Sequence, residues 1–232
     1  MKQFYLILTA ILLANSFAVA QSEGPIRVEA GENVAKAVAF SDQFRFPNFQ
    51  KGTVFFKNGN TGSSLLNYNH LFDAVQFIDK KGDTLSLANP LDIEQIKIGD
   101  KKFFFNNGYY EVIAEFPAVK LTIKQVLEIS NREKIGGYGE RKNTAAIDNY
   151  SSMYMNTQVH ELTVNENVIL SKNPSFHLLD QNGRLFPATK RNVSRIFPRK
   201  HRKEIVQFIK EQNTDFNQEH SIMEVLEFAS TL

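Results

Sequence analysis

The stretch from Gly52 to Glu115 decides the fold. It reads GTVFFKNG (52–59), SSLLNYN (63–69), DAVQFIDKKGDTLSLA (73–88) and QIKIGDKKFFFNNGYYEVIAE (95–115). Short runs rich in Val, Ile, Leu, Phe and Tyr alternate with Gly, Asn and Asp, which suit tight turns. Runs this short between such punctuation predict an antiparallel meander. Asn58-Gly59 is a strong hairpin signal, because both residues accept the left-handed backbone of a two-residue turn. Lys80-Lys81-Gly82-Asp83, Gly99-Asp100 and Asn106-Asn107-Gly108 mark further turns. The period-2 rule puts Val75, Phe77 and Asp79 on one face, with Ala74, Gln76 and Ile78 on the other.

Towards the C-terminus, Val119–Ile129 alternates over a long strand, with Val119, Leu121, Ile123, Leu127 and Ile129 on one side. Gln125 interrupts that apolar row and predicts a bulge or an edge position. Residues 131–156 hold Gly136-Gly137-Tyr138-Gly139 and a polar run, a loop long enough to read as functional or disordered. Strands are predicted again at Gln158–Val164, Val168–Ser171 and Phe176–Asp180, the last pairing with Arg184–Phe186 across Gln181-Asn182-Gly183. After Pro187 the period becomes helical. Lys190–Phe197 stops at Pro198, His201–Asn213 carries Ile205, Phe208, Ile209 and Gln212 as a stripe, and Asn217 is placed to cap a last helix. That helix buries Ile222, Val225, Leu226 and Ala229. Towards the N-terminus, Ile26–Glu29 predicts a short strand and Glu32–Phe40 a short helix. Ser41–Gln50 reads as an irregular segment that plugs Phe44, Phe46 and Phe49 into the end of the sheet. The fold class is therefore mainly β with an α appendage (α+β): an antiparallel meander, sandwich-like or partly closed, over residues 21–187, then a helical segment over 188–232.

Residues 1–20 read as a signal peptide. Lys2 precedes the apolar run FYLILTAILL (4–13), and Ala18-Val19-Ala20 supplies a small-x-small cleavage site before Gln21. The run is too short to anchor the mature chain across a bilayer, and no later apolar stretch is longer. The expected product is exported, soluble, and periplasmic or extracellular, without a transmembrane segment. Removing Lys2 from 27 basic residues leaves 26 against 25 acidic, a net charge of +1. The chain has no cysteine. That excludes disulfides, a lipid-anchoring cysteine, thiol catalysis and thiolate metal sites. Stability must come from apolar burial, for which 20 phenylalanines are the main material.

Motifs for chemistry are sparse. His160-Glu161 lacks the second histidine of a zinc-protease helix, so a metal site would need His160 and His177 brought together in space. No G-x-S-x-G elbow surrounds Ser63-Ser64 or Ser151-Ser152. Asp79 and Asp83 flank a Lys-Lys-Gly turn and read as turn formers rather than an acid–base pair. The GGYG segment lacks the lysine and the strand-to-helix context of a phosphate loop, so its functional reading is a flap carrying Tyr138 onto a ligand. Asn67-Tyr68-Asn69 puts amides and a phenol in a strand, which predicts a satisfied structural network. The sharpest charge feature is Arg184–Lys203: Arg184, Lys190, Arg191, Arg195, Arg199, Lys200, Arg202 and Lys203 with no acidic residue among them. Arg195, Arg199, Lys200, Arg202 and Lys203 are the candidate contacts to a polyanion or partner. The competing reading balances them in space with Glu211, Asp215, Glu219, Glu224 and Glu227.

The pattern F-x-K-G-x-V-x-F-K-x-G (Phe49–Gly59), LNYN (Leu66–Asn69), QFID-x-KGDTL-x-L (Gln76–Leu87), GGYG (Gly136–Gly139) and IFP-x-K…EI-x-x-F-I-K (Ile196–Lys210) resembles a family of exported bacterial proteins of uncharacterised function. The resemblance spans nearly all of the mature chain and implies export and a single architecture. It brings no activity, cofactor or catalytic residue. The expectation is a non-enzymatic envelope module with no cofactor, engaging an envelope protein or an anionic surface and not nucleic acid. The alternative is an exported hydrolase whose site is scattered through the sequence.

Overall fold

The computed structural model describes residues 24–135, 141–144, 164 and 166–232. Twelve strands among them form one antiparallel sheet. The strands are β1 (Ile26–Val28), β2 (Gln50–Phe56), β3 (Thr61–Asn69), β4 (Ala74–Ile78), β5 (Thr84–Ser86) and β6 (Ile93–Ile98). They continue as β7 (Lys101–Phe105), β8 (Tyr109–Glu115), β9 (Val119–Ile135), β10 (Arg141–Thr144), β11 (Asn167–Asp180) and β12 (Leu185–Pro187). The order is β1-β11-β9-β8-β7-β6-β2-β3-β4-β5, with β10 paired to β9 and β12 to β11. Two helical turns, α1 (Val34–Ala37) and α2 (Phe40–Gln43), lie between β1 and β2. Three helices, α3 (Lys190–Ile196), α4 (Arg202–Glu211) and α5 (Glu219–Ser230), close the chain. This is the predicted β-rich architecture with a C-terminal helical segment.

Departures from strict alternation have a local cause. In β6, Ile93 and Ile96 are both buried, which a period of two forbids. The ladder to β2 slips between Phe55 and Phe56, so Glu94 is the extra residue of a bulge and Ile93 returns to the inner face. In β9 the slip is at Ser130, between the pairs Ile169–Asn131 and Leu170–Ile129. Gln125 is therefore not a bulge. It sits in register opposite Pro174, just beyond the Glu111–Ile123 pair where the β8 ladder ends.

β11 also differs from the two separate strands read from Val168–Ser171 and Phe176–Asp180. It runs unbroken through Pro174. β1 pairs with residues 168–170 and β12 with 177–179, so Pro174 falls in the gap between them on an unpaired edge. A residue without an N–H costs nothing there. The helix expected over Glu32–Phe40 is two separate turns, parted at Val38 and Ala39, both in extended conformation. Asn217 does not cap α5. Its backbone N–H and side-chain amide both donate to Asp215 Oδ1, and Gln218 occupies the cap position without a side-chain bond.

Three apolar clusters fill the fold. The helical segment packs Val193, Ile205, Ile209, Ile222, Val225 and Leu226 onto Val119, Leu121, Ile123, Phe176 and Leu178 of β9 and β11. The other end of the same two strands, with Leu127, Ile129, Val168 and Leu170, is covered by Val34, Val38, Leu71 and Phe72. The meander encloses Val54, Leu66, Tyr68, Val75, Ile96, Ile98 and Phe103. No described helix is long and apolar enough to cross a membrane.

Candidate functional site

The basic segment forms the outer face of the helical appendage. Thr189 caps α3 by accepting from Asn192 N, and Val193 faces the core. Lys190, Arg191 and Arg195 are left exposed. Pro198 breaks the helix, and a short 3-10 turn carries Arg199 and Lys200 into α4. Ile205 and Ile209 then repeat the inward stripe, which leaves Lys203 outward. Phe208 stacks on Phe228 of α5 at 4.2 Å, fixing the two helices to one another. Arg202 is half-buried, and its Nε is a buried donor with no partner among the described residues. Its stem belongs to the helix packing as much as to the surface.

The carboxylates that could neutralise this face do not reach it. Among the described residues, Arg184, Lys190, Arg191, Arg195, Arg199, Lys200, Arg202 and Lys203 form no ion pair within 4.0 Å. Glu224 is taken by His220 at 3.1 Å. Arg184 and Arg195 both line a recess of about 360 Å³ that Asn182, Asn192 and Gln181 also line. Asp180 borders it, but its Oδ1 accepts from the backbone N–H groups of Asn182 and Arg184, both at 2.8 Å. The recess thus presents two guanidinium groups, amide donors and the hydrogen-bonded Asp180 carboxylate.

Comparison with protein-family models, curated proteins and solved structures finds no match. The reading of this surface rests on its own geometry.

The other sequence candidates are placed as follows. Tyr138, Ser151, Ser152 and His160 lie outside the described residues. His177 is packed edge-on against Tyr110 at 5.1 Å, and burial lowers its pKa. Ser63 lies 3.3 Å from the Thr53 hydroxyl, and Ser64 donates to Ile78 O. Asp79 Oδ1 accepts from Lys81 N and Asp83 N, the bonding of a turn former.

Asn67-Tyr68-Asn69 forms a structural network. Asn67 is fully buried, accepts from Phe46 N at 3.1 Å and donates to Phe46 O at 2.9 Å. Asn69 accepts from Leu71 N and Phe72 N and donates to Gln76 Oε1. The Tyr68 hydroxyl shares its proton between Asp73 Oδ1 at 2.9 Å and Gln125 O at 3.0 Å. Burial, then the Asp73 charge, pushes the Tyr68 phenol well above its usual pKa, so it stays protonated.

Two participants here were not singled out from sequence. Asp73, with a left-handed φ of 46°, pairs with Lys124 at 2.9 Å and accepts from Tyr109 N. His70 lies 2.9 Å from the Gln125 carbonyl through Nδ1, and its own backbone carbonyl accepts from Leu127 N. A carbonyl only accepts, so Nδ1 carries the proton. Burial, followed by the Lys172 charge, lowers the His70 pKa to about 3. These bonds tie the β3–β4 turn to β9, from which β3 and β4 stand five and six places away in the sheet order, and so hold the curl of the meander.

Proposed function

We propose that the chain is an exported, non-enzymatic envelope module whose C-terminal basic face binds an anionic polymer. The observation that carries this is the cluster of basic side chains from Arg184 to Lys203, without an ion pair among the described residues, of which Arg184 and Arg195 line one recess. A local excess of unpaired surface cations is a means of capturing opposite charge. The face favours a polymer over bilayer insertion. Among the described residues the large exposed apolar side chains are Phe40, Leu65, Leu85, Leu91 and Leu232, and none lies within Arg184–Lys203. A membrane-inserting surface carries apolar residues beside its cations.

The test uses residues 21–232 on heparin resin with a salt gradient, beside the variant R195E/R199E/K200E/K203E. Arg202 is spared because it is half-buried. The native chain is retained at low salt and released as salt screens the contacts, over a Debye length of about 10 Å at 0.1 M. The variant, with an unchanged circular dichroism spectrum, passes through. Equal retention of the two chains, or none of the native chain, overturns the assignment. So does co-sedimentation with phosphatidylglycerol vesicles in the absence of heparin retention.

A further inference from the structure

We infer that the cleft between α2 and the β9–β11 ladder is a second binding site, for a small zwitterion that carries its ammonium to Asp42 and its anionic group to Lys172. The cleft holds about 470 Å³, within the range of about 300–1,000 Å³ usual for small-molecule sites. Gly24, Pro25 and Ile26 border one side. Asp42 lines it from α2, Gln125 from β9, and Lys172 and Asn173 from β11.

Asp42 is the unusual group. Only 8 % of it is exposed, its carboxylate has no hydrogen bond or ion pair among the described residues, and its oxygens are not sealed from solvent. Buried carboxylates are ordinarily paired or hydrogen-bonded, because the loss of hydration is otherwise uncompensated. Every other strongly buried acid of the neighbourhood obeys this rule: Asp73 holds Lys124, and Glu111 holds Arg45 at 2.7 Å. Asp42 does not, and it lines the cleft.

Lys172 occupies the same cleft without closing on Asp42. No ion pair within 4.0 Å joins them, although Asp42 favours the charged form of Lys172. Burial is the larger influence and lowers the Lys172 pKa, with Arg45 adding repulsion. A carboxylate and an ammonium share one recess and remain unbridged. A ligand with both charges satisfies both walls, whereas a simple amine meets Lys172 repulsion and a simple anion meets Asp42.

The ladder explains why these groups share a wall. Lys172 pairs with Leu127, and Pro174 with Gln125, so Lys172, Leu127, Pro174 and Gln125 point to one face. Leu127 anchors the cluster that holds α1 in place, and α2 follows it directly. The cleft is therefore built on rigid strands. It is independent of the basic C-terminal face.

The experiment is isothermal titration of residues 21–232 with a panel of free L- and D-amino acids and glycylglycine, with ethylamine and acetate as single-charge controls. At least one zwitterion binds with a stoichiometry of one, and both controls bind more weakly by at least about tenfold. Asp42→Asn and Lys172→Met each weaken that ligand by about tenfold or more. Asp42→Asn keeps the melting temperature, since the carboxylate makes no hydrogen bond or ion pair with the rest of the fold among the described residues. The R195E/R199E/K200E/K203E chain binds the zwitterion as the native chain does. Absence of binding across the panel overturns the inference. Undiminished binding to Asp42→Asn, equal binding of ethylamine, or a large fall in the melting temperature of Asp42→Asn also overturns it, the last by making Asp42 a structural residue.

Discussion

Acid should loosen the fold through His70, and the size of the effect follows from its surroundings. The ring is 1 % exposed, donates through Nδ1 to Gln125 O, and has Lys172 and Arg45 as the charges acting on it. Burial and both cations oppose protonation, which lowers the pKa from 6.5 to about 3. In the unfolded chain the imidazole returns to 6.5. Between those values the unfolded chain binds a proton that the native chain refuses, so stability is full above about pH 6.5 and drains as pH falls towards 3. Each pH unit in that window costs about 1.4 kcal/mol, and at pH 5 the loss is about 2 kcal/mol. The chain has no tryptophan, so urea unfolding is followed by far-ultraviolet circular dichroism at about pH 7 and pH 5. The comparison is His70→Asn, whose amide can donate to the same carbonyl but does not titrate. His177, also lowered by burial, titrates in both chains and cancels from the difference. The native chain loses about 2 kcal/mol more than His70→Asn between the two pH values. Equal losses refute the reasoning, as does a nuclear magnetic resonance titration that places the native His70 near its unperturbed value.

Three further outcomes follow from the packing. Asn67→Ala strands the Phe46 N–H and C=O in the interior and lowers stability by about 2–3 kcal/mol, or roughly 5–10 °C in melting temperature; an unchanged melting curve contradicts the network. Gly52→Ala builds a Cβ 2.6 Å from Lys97 O and 2.7 Å from a Leu66 methyl, so β2 and β6 must part at a cost of about 1–3 kcal/mol, measured by denaturant unfolding. Ending the chain at Pro187 uncovers Leu121, Ile123, Phe176 and Leu178, and the shortened chain binds a hydrophobic dye or aggregates where the full one does not. An equally soluble, dye-silent fragment would show that the helices are dispensable to the β domain.

Much of the candidate basic face was readable in the chain, because a run of cations without an acid is a property of order along the sequence. Its lack of partners was not. Glu211, Asp215, Glu219, Glu224 and Glu227 follow it closely enough in the chain to pair with part of it, yet none forms an ion pair with it among the described residues. Asp42 was invisible as a site residue. It stands between Ser41 and Gln43 in an unremarkable polar stretch, and its isolation depends on Lys172, which lies 130 positions away in the chain. Nothing in the sequence marks Asp73, at the start of a predicted strand, or His70, in the short connection before it, since local pattern gives no sign of what will be carried into the interior.

The sequence by itself determined the local alphabet of the fold: where the chain turns, which runs extend, and where helical periodicity takes over after Pro187. Those are short-range effects of backbone freedom and side-chain spacing. The tertiary structure decided where alternation breaks and why. A bulge at Glu94 restores Ile93 to the core, an unpaired edge admits Pro174 into β11, and the end of the β8 ladder frees the Gln125 carbonyl for Tyr68 and His70. In each case the deciding partner is distant in the chain. A strand's register, edges and buried charges depend on what the sheet brings beside it.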